Sequence, residues 1–293
     1  MIARRVQFRA LDFVVLILCI ALGIFVYYRI QYGLEYKGNW AVIPGFLIKQ
    51  DPATGHWVPN FLLEGLITTI KLSIWATLLA TLFGIVAGLF RTGSNLFLRM
   101  VGRTYVELIR NLPALVLIYI FYFFVADPLL RMVGIYQFAQ SMSDSTSSTV
   151  AIFFADKSLL TQFISGVITV AFFEGAYITE IIRAGIESIE RGQNEAAYSL
   201  GLSWADKMRF VIMPQAIKRV LPPLANEFIN TIKYSSITSV VSIQELTYMG
   251  RTAVVATRYM FETWITVSVM YLILTLTLSF FTGALERRFR QSD

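Results

Sequence analysis

The sequence contains almost no cysteine or histidine. Its 293 residues include one cysteine, Cys19, and one histidine, His56. A disulfide within the chain and a metal site made of several histidines are therefore excluded. The motifs G-x-x-x-x-G-K-[ST], G-x-S-x-G and H-E-x-x-H are also missing from the sequence, so nothing indicates a P-loop or a hydrolase. We expect no catalytic residue, metal or cofactor in this chain.

Long polar segments are missing as well, and apolar residues dominate. Hydrophobic residues make up 56% of the sequence, and the mean hydropathy is +0.62. Soluble domains rarely reach these values, so the composition predicts a polytopic membrane protein. The apolar runs are continuous rather than alternating, which favours helices over a β-barrel. The net charge of +6 does not indicate nucleic-acid binding in such a protein.

Six apolar stretches are long enough to cross a bilayer, which takes about 20 residues. Arg4, Arg5 and Arg9 precede the first stretch, which lacks a small-residue cleavage site, so we expect a retained helix. The fifth stretch is the weakest because polar side chains interrupt it. The predicted spans are approximately residues 11–30, 61–90, 112–130, 159–182, 221–243 and 262–285.

Lys and Arg are distributed unevenly between the segments that join these spans. If both termini lie in the cytoplasm, the inner segments carry 16 of these residues and the outer segments carry 6. Cytoplasmic loops of membrane proteins carry the excess of positive charge, so the bias predicts cytoplasmic termini and an even number of crossings. It also places the segments 32–58 and 141–149 outside, as loops rich in turn-forming or small polar residues.

The segment 193–215 is polar although apolar spans precede and follow it. Asn194 is placed to cap a short helix that has Glu195 in its first turn. Gly201 is typical of a left-handed helix end, and Ser203 of the start of a second helix. The pattern therefore predicts two short helices on the cytoplasmic side.

The second of these helices is predicted to have one apolar stripe. Trp204, Met208 and Val211 recur at helical spacing, and Pro214 is expected to end or kink the helix. A solvated loop with two capped turns is the alternative. The agreement of the caps, the stop signal and the stripe favours the pair of helices.

This segment resembles the EAA motif of ABC importer permeases, which reads Glu-Ala-Ala, three residues, Gly, nine residues and Ile-x-Leu-Pro. The sequence has EAAYSLG, nine residues and VIMP, in which Val211 and Met213 depart conservatively. The stretches YVELIRNLP, EIIRAGIESIERGQNEAA and PQAIKRVLPPLANEFI are similar to the polar amino acid uptake subfamily. The resemblance runs from about residue 61 to the C-terminus. The matching motif positions are Glu195, Ala196, Ala197, Gly201 and Pro214.

The resemblance implies an all-α polytopic membrane protein with a five-helix permease core and one extra N-terminal transmembrane helix. Residues 1–60 would form that helix and an external loop. Residues 61–293 would form the permease domain, with a cytoplasmic coupling loop at about 184–219. The five matching motif positions would couple the permease to an ATPase.

The resemblance also implies the partners of the chain. Cytoplasmic ATP-binding subunits would hold ATP and Mg and hydrolyse the ATP, so this chain would be a transport subunit and not an enzyme. A second permease subunit, identical or sister, would complete the pathway. An external or periplasmic amino-acid-binding protein would deliver the substrate. The location implied is the bacterial cytoplasmic (inner) membrane, in contact with lipid.

Polar side chains at membrane depth are costly and by default indicate function. In the fifth predicted span, Glu227, Asn230, Tyr234 and Thr238 share one helical face, and Lys233 lies off that face. We expect this face to line the substrate pathway. The alternative is a helix buried among its neighbours with internal hydrogen bonds.

Glu174 lies in the middle of the fourth predicted span. An amino acid is a zwitterion, so a site for it needs one group for the ammonium and one for the carboxylate. Glu174 is a candidate for the first and Lys233 for the second, and a packed carboxyl is the alternative for Glu174. Lys71, in the second span, is expected to pair with Glu64 or to extend its ammonium to the interface.

A self-sufficient secondary amino acid transporter is the alternative function. Such transporters carry inverted repeats and paired broken helices, and neither is apparent in this sequence. The resemblance instead implies that the chain forms half of the translocation pathway of an ATP-driven, binding-protein-dependent amino acid importer.

The charge bias predicts which sides of the membrane two engineered cysteines will face. In a Cys19→Ser background, single cysteines at Ser145 and at Ser292 should react with an impermeant thiol reagent from opposite sides. Labelling of both positions from the same side would contradict the six-span topology.

Overall fold

A computed structural model describes residues 10–33, 38–52 and 54–290. The chain is divided into two compact units, and the boundary between them follows Val42. In the first, the described residues form helix α1 (Ala10–Gly33) and a 3-10 turn at Trp40–Val42. The predicted domain boundary after residue 60 stays a prediction. The predicted topology also rests on residues that lie outside the described part of the chain, namely Arg4, Arg5, Arg9 and Ser292.

The second unit consists of helices and one short hairpin. Strand β1 (Ile48–Gln50) pairs antiparallel with β2 (Trp57–Pro59), and Lys49 lies opposite Val58. This hairpin overlaps the end of the predicted external loop 32–58, and its last residue, Pro59, lies just beyond it. The helices are α2 (Ile43–Leu47), α3 (Phe61–Thr92), α4 (Leu96–Asn111), α5 (Ala114–Phe121), α6 (Asp127–Met132), α7 (Ile135–Ser141), α8 (Asp144–Phe153), α9 (Leu160–Glu187), α10 (Arg191–Ser199), α11 (Trp204–Lys207), α12 (Met213–Ser235), α13 (Leu246–Thr257) and α14 (Met260–Arg290).

Five helical stretches in the described part of the chain are long and apolar enough to cross a membrane. The third includes a π turn, Tyr122–Ala126, that joins α5 to α6. These stretches match five of the six predicted spans in position and confirm a polytopic helical protein. They are Leu11–Arg29, Phe61–Thr92, Ala114–Met132, Leu160–Glu187 and Met260–Ala284.

The remaining predicted span, 221–243, was wrong in its bounds. Helix α12 begins at Met213 and ends at Ser235, and a 3-10 turn at Ser236–Val241 follows it. By length and composition it is not among the spanning stretches of the described residues, so a crossing here, which the six-span topology requires, stays a prediction. The polar residues that made the span weak in the sequence lie on this amphipathic helix, which packs against α3, α9 and α14.

Small residues on α3 let α9 approach it closely. A Cβ on Gly84 would overlap the side chain of Ile178, and a Cβ on Gly88 would lie 2.7 Å from Cγ2 of Ile182. Ala80, on the same face of α3, is fully buried. Lipid tails are as apolar as leucine, so helices in a bilayer associate mainly through such close packing.

Helix α9 lies at the centre of the bundle and α14 at its edge. We compare the most apolar 18-residue stretch of each helix. In α9, 67% of this stretch is buried inside the protein, whereas in α14 only 6% is buried. A helix that is apolar all round and exposed is suited to lipid or to another apolar subunit.

The segment 141–149, predicted as an external loop, is mostly helical, and its side of the membrane stays a prediction. Ser143 caps α8 by accepting a hydrogen bond from the backbone N–H of Thr146 at 3.3 Å. Asp144 lies in the first turn, where the helix dipole favours a negative charge. A run of Ser and Thr thus serves here as a helix start rather than as an irregular loop.

The close contact of α3 with α9 predicts the effect of adding one methyl group. Gly84→Ala would place its Cβ against the Cβ of Ile178 as well as the tip of that side chain, so the helices must separate. We expect a loss of roughly 1–3 kcal/mol, as for other overpacked cores. Thermal unfolding of the purified protein in detergent measures it.

Gly192→Ala is the matched control, because nothing lies within 4 Å of the added Cβ in α10. It should leave the melting temperature unchanged or raise it slightly. Equal melting temperatures for the two variants would contradict the packing described for Gly84.

Candidate functional site: a cytoplasmic loop and a buried carboxyl pair

The polar segment 193–215 contains the two short helices that the sequence predicted, with a different start. Helix α10 begins at Arg191 after the N-cap residue Glu190. Asn194 is therefore inside the helix and does not cap it, and Glu195 lies beyond the first turn. The prediction that Asn194 caps the helix was wrong, because the helix extends one turn further at its N-terminus than the apolar pattern indicates.

The turn between the two helices has the conformation predicted for Gly201. Its φ of 71° is left-handed, and its N–H donates to the carbonyl of Tyr198 at 2.9 Å. The N–H of Leu202 reaches back to the carbonyl of Ala197 at 3.2 Å. This pair of hydrogen bonds is a Schellman motif, which ends a helix most easily at glycine.

Ser203 begins the second helix as predicted. Its hydroxyl accepts from the N–H of Asp206 at 3.2 Å and donates to the Asp206 carboxylate at 2.6 Å. The reciprocal bonds satisfy two groups at the helix start, as in a capping box.

Pro214 does not end this helix, and the other predicted outcome, a kink, stays a prediction. Helix α11 passes through a π turn at Met208–Ile212 directly into α12, and Pro214 occupies the first turn of α12. Proline is tolerated here because the regular helical hydrogen bonding is already interrupted, since the N–H of Met213 donates to the carbonyl of Met208 in the π turn. The predicted apolar stripe changes too, since the π turn rotates the residues that follow it.

The side that packs on the bundle consists of Met208, Ile212 and Ala216, against Ile189. Trp204, which the stripe included, is exposed. The spacing of the packed residues is four throughout, and it crosses the boundary at which the sequence analysis ended the helix.

Three polar contacts hold the short helices together and to the bundle. The Lys207 ammonium lies 4.3 Å from the ring centroid of Tyr198 and donates to its hydroxyl at 3.1 Å. Gln215 donates to the side chain of Gln193 at 3.3 Å. Arg219 donates to the backbone carbonyl of Ser188. The loop is therefore a braced structural element.

The braced loop also exposes large apolar side chains. Leu200 is 78% exposed, Phe210 63% and Tyr198 61%. Glu195 and Ala196 are exposed too, whereas Ala197, on the inner face of α10, is buried. Exposed apolar groups within a polar surface mark an interaction site.

A second group of residues lies between α9 and α12. Glu174 is fully buried, and neither of its oxygens accepts a hydrogen bond of normal geometry from the described residues. Glu227, on α12, is also buried and is close enough to interact with it. Two carboxyl groups side by side attract a cation.

A short polar chain leads from this pair to the surface of the bundle. Asn230 donates to the Glu227 carboxylate at 3.1 Å, and the Lys233 ammonium donates to the Asn230 carbonyl oxygen at 3.4 Å. Lys233 is exposed, and Tyr234 packs edge-on against Phe173 with ring centroids 5.4 Å apart. The structure thus brings together Glu174, Glu227, Asn230 and Lys233.

Thr238 does not belong to this chain, although the sequence placed it on the same face. It lies in the 3-10 turn after α12, where it is fully buried and donates to the Ser235 carbonyl at 2.6 Å. The helix ends at Ser235, so the spacing of eleven residues from Glu227 no longer defines one face.

Two charged groups that link helices, one half-buried and one fully buried, were missed by the sequence analysis. Glu180, on α9, pairs with Arg91 of α3 and with Arg183 at 2.9 Å, and Arg110 of α4 is 3.8 Å away. Glu245 is fully buried, caps α13, and accepts from the Tyr271 hydroxyl of α14 at 2.6 Å. Each joins helices that are distant in sequence, so no local pattern indicates its partner.

The comparisons with known proteins match most of the chain. Residues 80–291 match the family described as "Binding-protein-dependent transport system inner membrane component". The chain is 33% identical to the probable glutamine ABC transporter permease protein GlnM of Bacillus subtilis over 230 residues, covering 78% of this chain and 94% of that protein. It is 33% identical to the glutamine transport system permease protein GlnP of Escherichia coli, covering 78% and 93%.

A solved structure gives the same assignment. The crystal structure of an amino acid ABC transporter with histidines has a chain that is 36% identical, with a TM-score of 0.62, covering 78% of this chain and 94% of that one. The MetNI methionine ABC transporter in an inward-facing conformation shares the fold at 17% identity, with a TM-score of 0.58. The chain therefore belongs to the binding-protein-dependent transport system inner membrane component family, as a permease of the polar amino acid ABC importer kind.

Proposed function

We propose that this chain forms half of the translocation pathway of an ATP-driven importer for a polar amino acid. A second permease subunit, identical or sister, completes the pathway, and a binding protein delivers the substrate from outside. ATP and Mg bind to separate cytoplasmic subunits. Both termini and the loop 184–219 face the cytoplasm of a bacterial inner membrane. Glutamine, named for two of the relatives, is the first substrate to test.

The braced loop is the observation that carries this proposal. Its exposed apolar side chains, Tyr198 and Leu200, give a soluble partner an apolar surface to cover. Glu195 and Ala196 are exposed beside them, while Gly201 and Pro214 fix the chain direction before and after the second helix. We assign the seating of the ATPase subunit to this surface.

A rigid loop transmits movement of its partner, whereas a flexible one absorbs it. The Schellman turn at Gly201 and the contact between Lys207 and Tyr198 keep α10 and α11 in one relative orientation. Because α11 continues through the π turn into α12, displacement of the loop moves the helix that carries Glu227.

Gly201→Val tests this coupling role. A β-branched residue in the left-handed region costs roughly 1–2 kcal/mol at that position, so the turn should open while the bundle still inserts. We expect ATPase subunits to co-purify less, or to hydrolyse ATP without amino acid uptake. The measurements are co-purification, ATPase activity and uptake in proteoliposomes.

Gly201→Asn is the matched control, because asparagine adopts the left-handed conformation more readily than other non-glycine residues. It should retain most of the uptake. Normal uptake by Gly201→Val in an intact complex would remove the turn from the coupling mechanism.

The buried carboxyl pair supports a role in the substrate pathway. Glu174 and Glu227 would bind the ammonium of the amino acid between α9 and α12. Asn230 and Tyr234 would supply neutral hydrogen-bonding groups, and Lys233 would attract the carboxylate. Thr238 would form part of the pathway wall without binding the substrate, because its hydroxyl donates a hydrogen bond within its own turn.

Glu174→Gln tests the assignment of the ammonium. Removing one charge-assisted hydrogen bond should weaken the apparent affinity for transport roughly tenfold to a hundredfold. Binding of the substrate to the isolated binding protein should not change. Concentration-dependent uptake and substrate-stimulated ATPase activity measure the effect.

Glu107→Gln is the matched control: it is the same change at an exposed carboxylate on α4, outside both the 184–219 loop and the carboxyl pair. Its uptake should stay close to that of the unchanged protein. If Glu174→Gln transports equally well, Glu174 is a packed carboxyl and takes no part in transport.

A further inference from the structure

A cavity of about 310 Å³ lies at the end of the bundle remote from the 184–219 loop. It is bounded by the start of α3, the start of α9, the hairpin strand β2 and the segment before α13. On α3, twenty residues separate Lys71, in its wall, from Arg91, so about 30 Å of helix lies between the cavity and the cytoplasmic ion pairs. That distance is the thickness of the hydrocarbon core.

The cavity wall carries charges of both signs. Lys71 supplies an ammonium, and Glu64 and Asp156 supply carboxylates. Asp156 is close enough to interact with Lys71 electrostatically. However, none of the direct ion pairs found among the described residues joins these three groups. Of the two predictions for Lys71, the pairing with Glu64 is therefore not formed, and the extension of the ammonium to the interface stays a prediction.

Lys71 is held in place by another contact. Its ammonium donates to the backbone carbonyl of Ala151 at 2.6 Å, which fixes the last turn of α8 against α3. An ammonium has three donors, so two stay available to a ligand. The neighbouring Trp75 donates to the carbonyl of Phe153 at 2.9 Å and stacks on Phe154, so this wall is rigid.

Neutral polar groups complete the cavity. Gln244 extends an amide into its lining, and the Gln162 amide is held by a donated bond to the Ser242 carbonyl at 2.9 Å. Phe154 and Phe163 form the apolar part of the wall. A cavity of this volume is at the small end of ligand sites, which range from about 300 to 1,000 Å³, and it suits one small molecule.

We propose that this cavity binds a polar amino acid as its zwitterion, as an entry site before the buried carboxyl pair. Lys71 binds the carboxylate, Asp156 and Glu64 bind the ammonium, and Gln162 and Gln244 contact the polar side chain. Glu174 lies eleven residues further along α9 than Phe163 of the cavity wall, which is about 16 Å of helix. The inference rests on the proposed function, because it assigns a site to the same substrate.

Protection of an engineered thiol tests the site directly. Thr68 lines the cavity, and the chain has a single cysteine, so Cys19→Ser with Thr68→Cys gives one reactive thiol there. The full chain is reconstituted in nanodiscs and treated with a small thiol reagent that carries a sulfonate group. We would measure the rate at which the reagent modifies this thiol. L-glutamine should slow the reaction, and N-acetyl-L-glutamine, which lacks the ammonium, should not.

Substitutions in the wall should remove this protection. Asp156→Asn changes an exposed residue and does not threaten folding. Together with Lys71→Met, it should raise the half-protecting concentration of glutamine roughly tenfold to a hundredfold, as for other lost charge-assisted hydrogen bonds. Glu227→Gln, in the deeper site, should leave protection unchanged. A cysteine at the exposed Ser145, outside the cavity lining, should never be protected.

Three results would overturn the proposal: no protection by glutamine at concentrations that the assembled complex transports, equal protection by the N-acetyl derivative, or protection only by the ligand-free binding protein. The last result would make the cavity a docking pocket for that protein. Uptake by the complex of unaltered chains is measured in parallel. Uptake without protection rejects the entry site alone, and absence of uptake for every amino acid rejects the proposed function.

Discussion

The close packing of α3 against α9 is the constraint on which the rest of the structure depends. In a bilayer no hydrophobic force drives helices together, so contact has to come from shape. Gly84 and Gly88 provide that shape by admitting Ile178 and Ile182. The contact places the cavity at one end of the two helices and the Arg91–Glu180 ion pair at the other. Glu174 lies between these ends on α9, so each functional region is positioned by the same pair of helices.

Helix α12 links the two regions assigned to transport. It continues from the α10–α11 loop through the π turn and carries Glu227, thirteen residues beyond Pro214 and therefore about 20 Å along the helix. Pro222 and Pro223 lie inside it, where prolines remove backbone hydrogen bonds and allow bending. On the proposed mechanism, movement of the loop changes the position of Glu227 relative to Glu174 on the central helix. Coupling then needs no separate moving element between the ATPase and the pathway.

Local sequence patterns predicted some features correctly and missed others for physical reasons. Apolar runs located five spans, and Gly201 and Ser203 located the turn and the cap, because each depends on neighbouring residues only. The start of α10, the continuation through Pro214 and the end of α12 depend on packing, which the spacing of residues does not contain. The proximity of Glu174 to Glu227, and of Lys71 to Ala151, joins residues more than fifty positions apart. Such contacts follow from the fold and not from a local pattern.

On the proposed mechanism, this chain transports an amino acid only when an ATPase drives it. Uptake of radiolabelled L-glutamine into proteoliposomes tests this most directly, with the chain reconstituted alone and with its ATP-binding and substrate-binding partners. We expect the assembled complex to take up L-glutamine only when ATP is present inside the proteoliposomes. The chain alone should show no uptake under a proton or sodium gradient. Gradient-driven uptake by the isolated chain would contradict it and would identify a secondary transporter.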